Sequence, residues 1–184
     1  MERALDVFVD EGYENTTFQK IADRCEITRT TLYIYFKNKG DIFNFSIKHF
    51  LLALEETIVE IGKINELSWS DKLIQIMTAI LERLQENQRL LSVVLDYLVH
   101  SVRGERDSLN HVRRRTMRLR HFQTAMLIEG MKAGEFSPGI NVKDANELFY
   151  SFIEAAIFRL AVLRRSSVED LKDAMKVAVQ GLVS

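Results

Sequence analysis

The 184-residue chain contains one cysteine, Cys25, and one proline, Pro138. A single cysteine excludes an intrachain disulfide and a thiolate metal cluster. Proline interrupts helices, so its near absence, together with only eight glycines, favours a helical chain. No run reaches the roughly 18–20 apolar residues that a membrane span needs, and no apolar signal segment follows Met1. We therefore expect an all-α protein in the cytoplasm, without membrane association.

The net charge is only −1, which by itself gives no indication of nucleic-acid binding. Binding depends on where charge lies rather than on its sum. Residues 1–15 are predominantly acidic, whereas residues 16–39 carry five basic and two acidic side chains, a local charge of +3. The basic residues of this second segment are Lys20, Arg24, Arg29, Lys37 and Lys39. A cationic surface is therefore confined to a short part of the chain.

Apolar residues recur at helical spacing along almost the whole chain, and no segment alternates with period two. The pattern predicts a helix over residues 2–11 ending at Gly12, and a short helix over 17–24 that starts with a capping box from Thr16 to Gln19. A second short helix runs from Thr28 to Phe36, and a long one starts at Asn38. Further helices are predicted at 71–86, 88–102, 107–133, 143–165 and 167–182. We expect two domains, residues 1–45 and 46–184.

The two short helices around Glu26 form a candidate helix-turn-helix. Such short helices bury little surface, and their use is to present the second one to a DNA groove. Leu32 and Phe36 lie four residues apart and face inward. The residues left to point outward are Arg29, Thr30, Thr31, Tyr33 and Tyr35, whose side chains suit guanine edges, thymine methyl groups and phosphates. The alternative is a pair of packed surface helices with incidental polar residues.

The spacing of particular residues across helix, turn and helix gives this segment a family resemblance. It is carried by Phe8, Gly12-Tyr13, Thr16-Thr17, Ile21-Ala22, Ile27-Thr28, Thr31-Leu32-Tyr33, Tyr35-Phe36 and Asn38-Lys39. Over residues 4–45 the chain resembles the TetR family of transcriptional regulators; the remainder resembles it in length and helical character alone. The resemblance implies a repressor that binds a palindromic operator in double-stranded DNA as a homodimer. It also implies release by an unknown small-molecule effector bound in the C-terminal body.

The resemblance further assigns roles within the helix-turn-helix. It implies that one group of residues contacts phosphates or the groove edge: Thr17, Gln19, Tyr33, Tyr35 and Lys39. A second group lies nearest the bases: Arg29, Thr30 and Thr31. Two departures from the family stand out. Glu26 replaces the usual turn glycine, which predicts a strained backbone, and Gly40 replaces an acidic residue, which should weaken the first turn of the long helix by up to about 1 kcal/mol.

A third departure is that the first helix starts almost at Met1, without the basic arm that many relatives carry. This leaves open whether the chain is clipped there or makes fewer phosphate contacts.

The last two helices are implied by the resemblance to form the dimer interface. One short recognition helix supplies too few base contacts to select an operator alone, which also favours a dimer. Residues 143–165 carry more apolar groups than one narrow stripe needs. The predicted interface residues are Phe152, Ile153, Ala156, Ile157, Leu160, Leu171, Met175 and Val179. The alternative is that these residues belong to the core of a single chain.

The larger body is also the candidate site for a ligand. Methionine and aromatic side chains can line an adaptable apolar pocket, and arginines beside it can meet an acidic ligand. The candidates are Met77, Tyr97, Arg113, Arg120, Phe122, Met126 and Phe149. The alternatives are plain core packing and ion pairs with Glu or Asp on neighbouring helices. An effector would shift the long helix and so change the spacing of the two recognition helices, which must lie about 34–36 Å apart.

Catalysis has no support in the sequence. The four histidines, His49, His100, His111 and His121, show no metal-ligand spacing, and none lies beside a nucleophile motif. We expect no enzyme activity, no cofactor and no metal. The main alternative function is a protein–protein adaptor that has the helix-turn-helix fold but uses it, or the larger body, to bind a partner protein. A third alternative, a small helical enzyme, has no supporting motif.

Overall fold

The structure, a computed structural model, describes residues 2–101 and 108–183. Within these ranges the only β-structure is an isolated bridge between Phe136 and Val183, so the all-α prediction is confirmed. The helices are α1 (Glu2–Asn15), α2 (Phe18–Cys25), α3 (Arg29–Tyr35), α4 (Lys39–Lys63), α5 (Trp69–Glu86), α6 (Gln88–Ser101), α7 (Ser108–Lys132), α8 (Val142–Ile157) and α9 (Glu169–Gln180). A π-helical segment, Phe158–Val162, continues α8. None of the described helices combines the length and apolar character that a bilayer crossing needs.

The chain divides into two compact units. Residues 1–52 and 89–114 form the first unit, and residues 53–88 and 115–184 form the second. The first unit thus contains α1 to α3, the beginning of α4, all of α6 except Gln88, and the beginning of α7. The predicted boundary between residues 45 and 46 stays a prediction. The sequence pattern did not indicate that α6 packs with the N-terminal helices, because its apolar stripe does not say which partner it faces.

An aromatic cluster lies at the centre of the first unit. The rings of Phe8 and Phe43 are 5.0 Å apart, those of Tyr13 and Tyr97 4.5 Å, and those of Phe43 and Tyr97 4.7 Å. Gly40, at the start of α4, is buried beside them, where a Cβ would lie 3.1 Å from the Tyr13 hydroxyl. Glycine weakens the helix here but permits this close packing.

Gly12 interrupts α1 where the sequence predicts its end. Its φ of 77° lies in the left-handed region, which glycine adopts at little cost, and the helix continues beyond it to Asn15. The next helix is capped differently from the prediction. The Thr17 hydroxyl accepts a hydrogen bond from the Lys20 amide at 3.2 Å, whereas the Thr16 hydroxyl donates to a carbonyl of α1 at 2.7 Å.

The predicted capping box is therefore wrong in its partners. The Gln19 side chain does not reach back to the start of α2 but donates to Asp23, one turn ahead, at 2.7 Å. Thr17 is the N-cap residue instead. A single threonine can satisfy one of the free amides at a helix start, so the helix begins one residue later than the box requires.

The turn after α2 carries the backbone strain that the sequence predicts. Glu26 adopts φ 58° and ψ 38°, and its amide donates to carbonyls near the end of α2. This left-handed conformation costs a non-glycine residue about 1–2 kcal/mol. The Glu26 carboxylate forms an exposed ion pair with Arg3 at 2.8 Å, which recovers little of that cost in water.

In the second unit, Glu135 fixes the start of α5. Its carboxylate accepts hydrogen bonds from the amides of Trp69 and Ser70, each at 2.7 Å, and from the Ser70 hydroxyl. Burial raises the pKa of this carboxyl, but the hydrogen bonds from Ser70 and Trp69 outweigh it and hold the pKa below its ordinary value. A charged carboxylate thus caps the helix that supplies one wall of the cavity described below.

Replacing Glu26 by Gly should stabilise the protein, because glycine adopts the left-handed turn without strain. We expect the free energy of unfolding to rise by about 1 kcal/mol and the melting temperature by about 2–4 °C, measured by thermal circular dichroism. The control Glu26→Gln removes the charge and keeps the Cβ, so it should melt like the wild type. Equal stabilisation by the two variants would assign the effect to charge and contradict the strain.

Candidate nucleic-acid interface and ligand cavity

Helix α3 is held on the surface of the first unit by its own first turn and one buried side chain. The Thr28 hydroxyl accepts from the Thr31 amide at 3.1 Å and lies 2.8 Å from the Thr31 hydroxyl. Leu32 is buried in the core of the unit. The N-cap fixes where α3 begins, and Leu32 fixes which side faces outward.

Tyr33 joins α3 to α2 and orients an arginine. Its ring stacks on Phe18 with centroids 4.5 Å apart and an interplanar angle of 15°. The Arg29 guanidinium donates to the Tyr33 hydroxyl at 2.9 Å and lies 5.4 Å from the ring centroid. Arg29 therefore extends along the exposed side of α3 in a fixed direction, which lowers the entropy that binding a base edge would cost.

One strongly exposed side chain of α3, that of Ile34, is not among the predicted DNA contacts. Tyr35 is 74% exposed and Ile34 is 72% exposed. A large apolar residue so exposed on a seven-residue helix is a candidate for contact with a thymine methyl group. The signal was present in the sequence, because Ile34 lies opposite the inward pair Leu32 and Phe36 on the helical wheel. Arg29 and Thr30 are exposed too, whereas Thr31 is half-buried.

The predicted cationic segment is largely neutralised by the acidic residues of α1. Lys20 pairs with Glu11 at 2.6 Å, and Arg24 pairs with Asp10 at 3.1 Å. Asp10 also binds Arg89 of α6 at 2.6 Å, and the hydrogen bonds from Arg89 and Arg24 lower the pKa of its carboxyl. These basic groups therefore connect α2 and α6 to α1.

The side-chain ammonium of Lys39 also has partners within the protein. Its ammonium donates to the backbone carbonyls of Tyr13 and Glu14, each at 2.8 Å, and lies 4.7 Å from the centroid of the Tyr13 ring. It thus caps the C-terminal end of α1, where carbonyls lack helical partners. Two of the three ammonium donors of Lys39 are therefore used within the protein, and its predicted phosphate contact stays a prediction. Lys37 is exposed, and its ammonium has no partner among the residues that the structure describes.

The remaining predicted phosphate contacts, Thr17 and Gln19, are exposed at the start of α2. Thr17 uses its hydroxyl as an acceptor for the helix cap and keeps its own hydrogen to donate. Arg29 and Lys37 are the cations of residues 16–39 that are not bound to a carboxylate or a carbonyl in the described structure. Of the five basic residues of this segment, only these two are therefore free of a carboxylate or carbonyl partner in the described structure.

The second unit contains a small apolar cavity of about 10 Å³, close to the size of one water molecule. Met77 and Phe122, both predicted ligand contacts, line it, as do Gln123 and Tyr150. The other lining residues are Ile58, Ile76, Ile80, Leu119 and Ile153. Burial raises the pKa of the Tyr150 phenol, so this group stays neutral.

The other predicted ligand contacts whose side chains the structure describes do not line this cavity. Met126 and Phe149 are buried in the second unit and do not line the cavity. Tyr97 lies in the aromatic cluster of the first unit and does not line this cavity. Arg120 lies over the Tyr150 ring at 4.1 Å and pairs with Glu147 through two hydrogen bonds, as the ion-pair alternative anticipated. The side chain of Arg113 lies outside the described residues.

The predicted dimer contacts fall into two groups. Five of them are buried within the chain's own core: Ala156, Leu160, Leu171, Met175 and Val179. Three are half-buried: Phe152, Ile153 and Ile157. The apolar side chains that α8, its π-helical segment and α9 do expose, with the residue that follows, are Leu148, Phe158, Val162, Leu163 and Val177. Periodicity could not separate these groups, because both faces of these helices carry apolar residues.

Two family models match the chain. Residues 1–44 match the model of bacterial regulatory proteins of the tetR family, and residues 72–169 match that of tetracyclin repressor-like C-terminal domains. The fatty acid metabolism regulator protein of Bacillus subtilis (strain 168) is 26% identical over 161 residues, which cover 85% of this chain and 79% of that protein.

Solved structures show the same fold. A TetR transcription regulator from Haloarcula marismortui ATCC 43049 has a TM-score of 0.85 at 18% identity, with 100% of this chain and 97% of that chain covered. The transcriptional regulator FadR from Bacillus subtilis, solved in complex with stearoyl-CoA, has a TM-score of 0.72 at 22% identity, with 100% and 95% covered.

The two lysines after α3 should respond differently to replacement by alanine. Lys37→Ala should leave the melting temperature unchanged and reduce the slope of log binding constant against log salt concentration by about 1, because one phosphate contact is lost. Lys39→Ala should lower the melting temperature, because two carbonyls lose their donor. Fluorescence anisotropy with duplex DNA at several salt concentrations, with thermal unfolding alongside, measures both. A lower slope in Lys39→Ala alone would contradict the assignment.

Proposed function

The chain belongs to the tetR family of bacterial regulatory proteins and is a transcriptional regulator, and from this premise we propose that it is a homodimeric repressor of a palindromic operator. The observation that carries the proposal is the surface of α3, where Arg29, Thr30 and Ile34 are exposed on a helix that Leu32 anchors. This arrangement suits a recognition helix in the major groove. The proposal places the protein in the cytoplasm, where bacterial DNA lies.

We propose that different residues of α3 and its flanks contact bases and phosphates. Arg29, oriented by Tyr33, donates to a guanine edge, and Ile34 and Thr30 contact thymine methyl groups or neighbouring base edges. Tyr35, Thr17 and Lys37 bind phosphates and so position the helix without reading sequence. Tyr33 acts mainly as a support, because its ring is stacked on Phe18 and its hydroxyl accepts from Arg29.

A second copy of the chain is the proposed dimer partner, packed against α8, its π-helical segment and α9, where five large apolar side chains are exposed: Leu148, Phe158, Val162, Leu163 and Val177. Contact with a second copy would remove these side chains from water. The buried residues of α8 and α9 support this surface from within. A two-fold axis through it would make the operator an inverted repeat, because the two recognition helices are then related by the same symmetry.

We propose a long-chain acyl thioester as the effector. The support is the apolar lining of the cavity in the second unit, and the complex of the related FadR structure with stearoyl-CoA. A cavity of about 10 Å³ must enlarge to admit an acyl chain, and Met77 is the lining residue best able to adapt. The ligand thus favours a different packing of the unit, and this difference in affinity between two states is what can release DNA.

Loss of the two exposed α3 side chains should reduce selectivity more than general affinity. Arg29→Ala and Ile34→Ala should each lower the preference for operator over random duplex, by about 1–3 kcal/mol for the arginine, with unchanged melting temperatures. The measurement is competitive anisotropy with both DNAs at one salt concentration. The matched control Arg118→Ala, an exposed arginine of α7 in the second unit, should behave like the wild type. Wild-type selectivity in both α3 variants would refute the assignment of α3.

A further inference from the structure

One polar side chain in the cavity has no protein partner. Gln123 of α7 is only 7% exposed and lines the cavity together with Met77 and Phe122. Its amide nitrogen Nε2 is buried without a hydrogen-bond partner in the described structure. Apart from Tyr150, every other residue that lines the cavity is apolar. The residues that line the cavity therefore include one amide whose donor is not satisfied by any group of the described structure.

Two other amide side chains of the second unit place a group in a hydrogen bond that serves packing. Asn146 of α8 is also buried, and its amide nitrogen donates to the Thr124 hydroxyl at 2.7 Å, although its oxygen Oδ1 has no partner in the described structure. Gln85 of α5 likewise serves the fold, because its side-chain oxygen accepts from the Val168 amide at 3.0 Å. Gln123 differs from both in that its donor is left unpaired.

An unpaired buried donor lowers the stability of a protein, because the amide loses its hydrogen bonds to water and gains none. A methionine of nearly the same length would fill the space at Gln123 without that cost. Departures of this kind from good packing are expected at functional sites, where the missing partner is a ligand. Gln123 thus fits a binding residue better than a packing residue.

We infer that Gln123 recognises the carbonyl oxygen of the effector. In this inference, which rests on the proposed acyl effector, Nε2 donates to the thioester carbonyl while the alkyl chain occupies the space bounded by Met77, Ile80 and Phe122. The carbonyl is the hydrogen-bond acceptor nearest the chain, and the apolar walls exclude competing water from it. Gln123 then distinguishes an acyl chain from an alkyl chain that lacks the carbonyl.

The test compares two probes that differ in this one group: stearoyl-CoA and its thioether analogue, in which a methylene replaces the carbonyl. Isothermal titration calorimetry should show that the full-length wild type binds the thioester about tenfold more tightly. Gln123→Met should bind the two probes equally. Without ligand it should melt about 2–4 °C higher than the wild type, because the unpaired amide is gone.

Gln85→Met is the matched control, because it removes a glutamine whose oxygen has a partner. It should melt lower than the wild type and keep the preference for the thioester.

The outcomes distinguish a failure of the role inferred for Gln123 from a failure of the proposed acyl effector. Equal affinity of the wild type for thioester and thioether overturns the role of Gln123 and leaves the acyl effector standing. A Gln123→Met variant that melts lower than the wild type makes Gln123 a packing residue and also overturns the inference. Failure of the wild type to bind either probe overturns the acyl effector and, with it, the role of Gln123.

Discussion

The shortness of α3 is the constraint on which the DNA-binding surface depends. A helix of seven residues is unstable in isolation, because helices shorter than about 12–15 residues are marginal in water. Its stability comes from the Thr28 cap, from burial of Leu32 and from the stack of Tyr33 on Phe18. The contacts that make α3 a helix also fix the direction of Arg29. Folding and DNA recognition therefore rely on the same few side chains.

Charge in the first unit is used mainly for structure. The carboxylates of α1 bind Lys20 and Arg24, and the end of α1 binds Lys39. These contacts attach α2 and the start of α4 to α1. The acidic segment (residues 1–15) and the basic segment (residues 16–39) of the sequence are therefore joined by ion pairs and hydrogen bonds. Arg29 and Lys37, which have no carboxylate or carbonyl partner for their side chains in the described structure, lie at the start of α3 and just after its end. A net charge near zero is thus compatible with a local cationic surface.

Much of the fold could be predicted from the sequence. Helical periodicity placed the described helices within a few residues of their bounds, and the spacing from Gly12 to Lys39 identified the helix-turn-helix and its strained turn at Glu26. What could not be predicted depends on which elements pack together. The pattern did not show that Tyr97 joins the core of the first unit, that Lys39 binds carbonyls, or that Met175 faces its own chain. The pattern also did not single out Gln123, because periodicity reports burial and not the absence of a hydrogen-bond partner.

Selection of bound sequences from a random duplex DNA library tests the central claim most directly, since it reports recognition and symmetry together. The account predicts enrichment of an inverted repeat whose half-sites are centred about one helical turn apart, or a multiple of it. It also predicts that Arg29→Ala, carried through the same selection, loses information at one symmetric pair of positions. Enrichment of no sequence by the wild type, or of a single half-site without symmetry, would contradict the account.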